Sequence, residues 1–241
     1  MYLSDTLTKT GIFQNIETKL FGDNGYGKIT DDTDRTYLFT NLCNRALDRF
    51  SFLAMTADGV WQWDDDNYTT QSIATTNLVT TQREYQFALD HLEIEAVLVK
   101  DSSGIWRTLT PFDQRDPNAK AYLENNATRS GMPTRYDKRG TTLWLDVTPN
   151  FNSTAGLKVY FKRGPSYFTY SDTNKAPGFA SNFHSFVVNY ASTYYALDRT
   201  MPQAVNWYQD LQKEEKAIQS FYSSRSKDEK PKFKILIQNN R

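Results

Sequence analysis

Between residues 33 and 57 apolar side chains recur at spacings of three and four, and this periodicity does not return until residue 181. The stretch between them follows a different, strand-like period. An apolar stripe on a helix has to be buried against a partner. A chain with such stripes at both ends and strands in the middle is therefore constrained to build a discontinuous helical domain that carries an insertion.

Phe39, Leu42, Cys43, Ala46, Phe50 and Leu53 share one face of the first long helix. Thr33 or Asp34 is placed to cap its start, and Asp58-Gly59 to end it. A shorter helix is predicted over residues 12–20. Near the other end, Phe183, Phe186, Val187, Tyr190, Ala191, Tyr194 and Leu197 form a second stripe behind a candidate cap at Ser181. Met201-Pro202 breaks it, and Pro202 suits the first turn of a new helix. That helix runs to about residue 224 and is expected to bury Ala204, Tyr208, Leu211, Ile218 and Tyr222.

Strands are predicted over 78–88, 92–100, 106–111, 141–147 and 157–162, with one short helix over 113–125. Ser102-Ser103-Gly104, Lys138-Arg139-Gly140 and Pro149-Asn150 read as turns between them. The predicted fold class is α+β. A helical bundle forms from both ends of the chain (1–58 and 180–225), a β-rich unit is inserted over 59–179, and an extended C-terminal arm follows over 226–241.

With 39% hydrophobic and 15% aromatic residues, the chain has the material for a core, and disorder is not expected. No apolar run approaches the roughly 20 residues that span a bilayer. The N-terminal stretch lacks a basic region followed by an apolar one, which predicts no signal peptide and no membrane partner. Cys43 is the single cysteine, so no internal disulfide is possible.

The 28 Lys and Arg balance the 28 Asp and Glu. A neutral chain is not built for strong general binding to nucleic acid. The charge is unevenly placed: 15 acidic against 8 basic side chains give −7 over residues 1–100, and 8 against 12 give +4 over 101–200. The remaining 5 against 8 give +3. Opposite halves suit head-to-tail association of identical copies. Candidate contacts are Asp64, Asp65 and Asp66 on one side and Arg135, Lys138 and Arg139 on the other.

Signals for chemistry are sparse. His91 and His184 are the only histidines, and neither stands at a metal-ligand spacing. No phosphate loop, nucleophile elbow or zinc signature is present. Asp64, Asp65 and Asp66, behind Trp61 and Trp63, do not follow a calcium-loop spacing. Pairs drawn from these acids with Glu84, Glu93 and Glu95 are of the kind any acid-rich chain offers. The expectation is a protein that is not an enzyme and uses no cofactor.

The last 16 residues combine lysines at 227, 230, 232 and 234 with a short apolar strand. Lys232, Phe233, Lys234, Ile235, Leu236 and Ile237 are the candidate binding segment. Phe233, Ile235 and Ile237 alternate, so an extended backbone puts them on one side.

Several phrases resemble phage head–tail adaptor proteins. They are Asn44-Arg45-Ala46-Leu47-Asp48-Arg49, Ala57-Asp58-Gly59, Trp61-Gln62-Trp63-Asp64-Asp65, Asp90-His91-Leu92-Glu93-Ile94 and Asp113-Gln114-Arg115-Asp116. Two more are Tyr160-Phe161-Lys162-Arg163-Gly164-Pro165-Ser166-Tyr167-Phe168 and Lys175-Ala176-Pro177-Gly178-Phe179-Ala180 with His184. The resemblance covers residues 35–225. It implies a virion protein that forms a twelve-copy ring under the portal, around the channel through which double-stranded DNA leaves, with a tail tube or nozzle protein below. In such adaptors a C-terminal arm reaches the portal. A carbohydrate- or receptor-binding virion module would also use the tryptophans and tyrosines of the β unit, but leaves the two helical ends and the basic arm without a role. A virion hydrolase built on acids near Asp64 is the third reading.

Overall fold

The computed structural model describes residues 1–22, 25–57, 73–86, 91–112, 115, 117–126 and 128–224. It is mixed α and β and divides into two compact units. Unit 1 comprises Met1–Thr69 and Pro165–Arg241, and unit 2 is Thr70–Gly164.

Unit 1 holds helices α1 (Ile12–Phe21), α2 (Thr33–Thr56), α4 (His184–Asp198) and α5 (Ala204–Ser224). α2 contacts both α4 and α5, α4 contacts α5, and α1 packs on α4. All six residues expected on the buried face of α2 are buried, joined by Leu47 and Ala54. Burial pushes the thiol of Cys43 far above its ordinary range, so it behaves as a small apolar group.

The caps differ from expectation. The N-cap of α2 is Asp32, whose carboxylate accepts from the Arg35 backbone N–H at 3.1 Å, because Thr33 and Asp34 already lie within the first turn. Ser181 opens a separate 3₁₀ turn, Ser181–Phe183, and Phe183 stands at the N-cap of α4 without a side-chain cap bond. Tyr208, expected in the core, is 40% exposed, while Ala204, Leu211, Ile218 and Tyr222 are buried.

α1 has Gly11 at its N-cap and no side-chain cap. The main chain does that work: Ile12 N–H donates to Tyr2 O at 2.8 Å and Phe13 N–H to Leu3 O at 3.0 Å. Gly11 is required by proximity, since a Cβ there would stand 2.4 Å from the backbone nitrogen of Asp5.

Residues 165–180 bring the chain back from unit 2 and belong to unit 1. Phe168 and Phe179 are buried in the same hydrophobic cluster as the helices. Phe50 stacks on Phe179 with ring centroids 3.7 Å apart and planes 9° from parallel. Phe186 and Tyr222 meet Phe50 edge-on at 5.8 and 5.7 Å.

Asn44 bonds Phe168 twice, accepting from its N–H at 2.8 Å and donating to its carbonyl at 3.0 Å. Tyr167 donates its hydroxyl to Asp48 at 2.6 Å, and this bond to a carboxylate pushes the Tyr167 phenol up to about 12. The next residue, Arg49, makes a two-pronged ion pair with Glu215 of α5, both contacts 2.7 Å.

Unit 2 contains β1 (Ile73–Leu78), β2 (Glu84–Gln86), β3 (His91–Lys100), β4 (Trp106–Pro111), α3 (Pro117–Asn125), β5 (Ser130–Gly131), β6 (Arg135–Arg139), β7 (Thr142–Leu145), β8 (Thr148–Pro149) and β9 (Ser153–Arg163). Seven strands form one sheet in the order β1-β9-β3-β4-β6-β7-β2, and β5 pairs with β8. Within the seven, β4 and β6 run parallel, and the other pairings are antiparallel. Val97, Val99, Leu157 and Val159 alternate toward the buried side, joined by Leu109, Tyr136, Leu143 and Leu145.

The strand expected over 78–88 is two strands, separated by a turn in which Thr81 takes φ 68°. Lys138 and Arg139 are not turn residues. β6 continues through Arg139, which pairs with Thr142, so the reversal falls on Gly140, at φ 59°, and Thr141. The Ser102-Ser103-Gly104 turn stands as read: Asp101 accepts from Ser103 N–H and Ile105 N–H, both 2.9 Å, and Gly104 takes φ 83°.

Two outcomes follow for unit 1. Phe50→Ala is expected to lower stability by about 3–5 kcal/mol in denaturant titration, whereas Phe52→Ala, on a residue of α2 that is 52% exposed, costs about 1 kcal/mol or less. For Tyr167, protonation is the form the fold favours. Its contribution is therefore full below the ordinary value of 10.0 and is lost as pH rises through about 12. The stability difference between the wild type and Tyr167→Phe should be constant below about pH 10 and should shrink above it.

Candidate functional site

Among the described residues no group of three or more His, Cys, Asp or Glu could hold a metal ion. His184 is buried on α4, where its Nε2–H donates to Phe179 O at 2.9 Å. No helix among the described residues is long and apolar enough to cross a membrane.

Of the candidate contact residues, Asp64, Asp65 and Asp66 lie outside the described residues, as does the segment Lys232, Phe233, Lys234, Ile235, Leu236 and Ile237. Arg135, Lys138 and Arg139 lie on β6. Strand alternation puts Arg135 and Arg139 on one face and Lys138 on the other, so the three do not form a single patch. Arg139 Nε donates to Asp137 at 2.9 Å, and its guanidinium lies 4.2 Å from the centre of the Trp144 ring. Arg135 is exposed, with its guanidinium 5.2 Å from the ring of Tyr122 and 5.7 Å from that of Phe112.

Sequence reasoning missed the partners of these arginines. Arg83 lies 5.4 Å from the same Trp144 ring and donates to Leu145 O at 2.7 Å and Leu123 O at 2.8 Å. Trp106 carries a second cluster, with Lys158 at 4.4 Å and Lys100 at 5.9 Å. Unit 2 thus presents cations laid over aromatic rings. Their charge stays accessible while their stems are packed. Lys100 with Trp106 and Arg139 with Trp144 are near neighbours in sequence; the other pairs are brought together by the fold.

Unit 1 exposes a different surface. Tyr37, Leu38 and Phe52 on α2, and Val205, Tyr208 and Phe221 on α5, are each more than a third exposed. Tyr37 and Tyr170 lie with ring centroids 4.5 Å apart. The periodicity of α2 and α5 pointed to their buried stripes, wrongly placed Tyr208 among them, and left the other positions unremarked.

The family described as SU10 adaptor protein matches the chain over residues 10–230. No curated protein matches it. The matched span includes all of unit 2 and every described helix, so the resemblance seen in short phrases extends across both units. This chain belongs to the SU10 adaptor protein family, a family of phage head–tail adaptors.

Proposed function

We propose that the chain is a head-to-tail adaptor subunit, twelve copies of which form a ring under the portal, extend the DNA channel and give the tail tube or nozzle its attachment surface. The family match over residues 10–230 carries this reading. Unit 1, read as a helical bundle, supplies the ring wall, and its exposed aromatics supply apolar contact between copies. The acidic first hundred residues of one copy face basic residues of the next. The exposure of Arg135 supports its part in such a contact. A neutral chain lets DNA slide, because no excess of phosphate-binding charge holds it. The role is structural and requires no cofactor.

Residues 226–241 act as an arm. Extended backbone adds to a free sheet edge of the portal or of an adjacent subunit, and Phe233, Ile235 and Ile237 enter pockets along it. Ordering costs roughly 1–2 kcal/mol per residue of backbone entropy, so the arm settles only on a partner that returns enough contact.

The deciding experiment is a symmetry-free reconstruction of the virion neck. Twelve copies between portal and tail are expected, and density for this chain anywhere else overturns the reading. Deletion of 226–241, and separately Ile235→Asp with Ile237→Asp, should leave the melting temperature of the free subunit unchanged and abolish attachment to DNA-filled heads. Unfolding of either variant would place the strand in the subunit's own core. Ring formation should weaken as salt rises toward 1 M, where screening shortens to about 3 Å, and Arg135→Glu should weaken it further. Indifference to both leaves apolar contact as the driving force.

A further inference from the structure

α2 carries a second row of side chains on the side away from the core. Leu38, Arg45 and Phe52 stand at seven-residue spacing, which keeps them on one face of a helix. Asn41 and Asp48 lie between them on the same face, and all five are exposed. The row is about 21 Å long at the helical rise. Aromatic side chains widen it on one flank. Tyr37, next to Leu38, contacts Tyr170 with ring centroids 4.5 Å apart, and Tyr167 bonds Asp48 at 2.6 Å. Tyr37, Tyr167 and Tyr170 are 45, 50 and 51% exposed. The exposed apolar groups are thus joined by contact, whereas isolated ones would carry no meaning.

The middle of this row is a cation without an anion. Arg45 rests its guanidinium over the Tyr194 ring of α4, 5.6 Å from the centroid. Among the described residues it makes no ion pair, whereas Arg49 beside it is paired with Glu215. A guanidinium placed over a ring keeps its N–H edge available and gives up less freedom on binding than an unsupported one.

A partner that covers Leu38 and Phe52 together also covers Arg45, which lies midway between them. An arginine buried without a counter-charge is strongly destabilising, so the covering surface has to bring an anion to that point. A carboxylate meets a guanidinium with two parallel hydrogen bonds. The seven-residue repeat is the period at which one helix follows another. DNA would offer Arg45 a phosphate but would set its polar backbone against Leu38 and Phe52. We propose that the outer row of α2 docks a helix from another polypeptide, with an Asp or Glu opposite Arg45 and apolar side chains one heptad to either side, over Leu38 and Phe52. This docking gives the apolar contact of unit 1 a particular face and partner chemistry, and it stands whether or not the copies form a ring.

Photo-crosslinking in infected cells tests it, with p-benzoylphenylalanine in place of Leu38 or of Phe52 in the full chain. Mass spectrometry is expected to place both crosslinks on one partner helix, about fourteen residues apart, with an Asp or Glu between them. Arg45→Glu should cut the crosslink yield about tenfold or more, and changing the partner's acid to Arg should restore it. Arg45→Gln removes the charge without adding an acid to α2, and should lose yield at an unchanged melting temperature. Crosslinks to DNA, crosslinks to a helix without the acid, no crosslink from either position, or full yield from Arg45→Glu overturns the proposal. The crosslinked sequence identifies the donor as a second copy or a different protein, and either satisfies it. A chain found outside the virion neck with the charge exchange intact overturns the ring and leaves this surface standing.

Discussion

The stack of Phe50 on Phe179 holds unit 1 together, because it joins parts of the chain that share no local reason to meet. Phe50 comes from the middle of α2, and Phe179 from the segment that returns after the β unit. The edges of Phe186 from α4 and Tyr222 from α5 close on the same ring. Four segments therefore converge on one aromatic side chain with no exposed surface. Interiors are packed at crystal density, so a ring at this junction cannot be shortened without leaving a void that all four segments line.

Around that stack, polar groups fix the returning chain in register. Asn44, Asp48 and Arg49 lie within two turns of α2, and each reaches a different target: the backbone of Phe168, the hydroxyl of Tyr167, and Glu215 on α5. Residues 44–49 and 160–168 were among the phrases that carried the family resemblance. In the structure they bind each other. His184 and Phe179, from a third phrase, are likewise bonded. The adaptor-like phrases thus describe the clamp that seats an insertion's return in a helical domain. Their place in that clamp gives them a physical reason to occur together.

Unit 2 manages its charge in another way. Arginines and lysines lie over Trp144, Tyr122, Phe112 and Trp106; of these, Arg83 bonds to two backbone carbonyls and Arg139 to Asp137 within the unit. Unit 1 turns aromatic and aliphatic side chains outward instead. The two units therefore suit different partners, apolar helix faces on one and positioned cations on the other.

The sequence by itself determined the elements. Periods of three and four marked α2, α4 and α5, and alternation marked most strands, because burial of one face is a local demand that composition records directly. It also determined the neutral charge and showed no catalytic signature. Tertiary structure alone decided where Tyr208 points, that β6 runs through Lys138 and Arg139, and that residues 165–180 belong with the helices. In two of these cases a tertiary contact overrode the local signal: pairing with β7 made a strand of apparent turn residues, and the aromatic cluster drew Phe168 and Phe179 inward. Most of the cation–aromatic contacts were illegible because folding brings together residues far apart in the chain, as with Arg83 and Trp144 or Lys158 and Trp106.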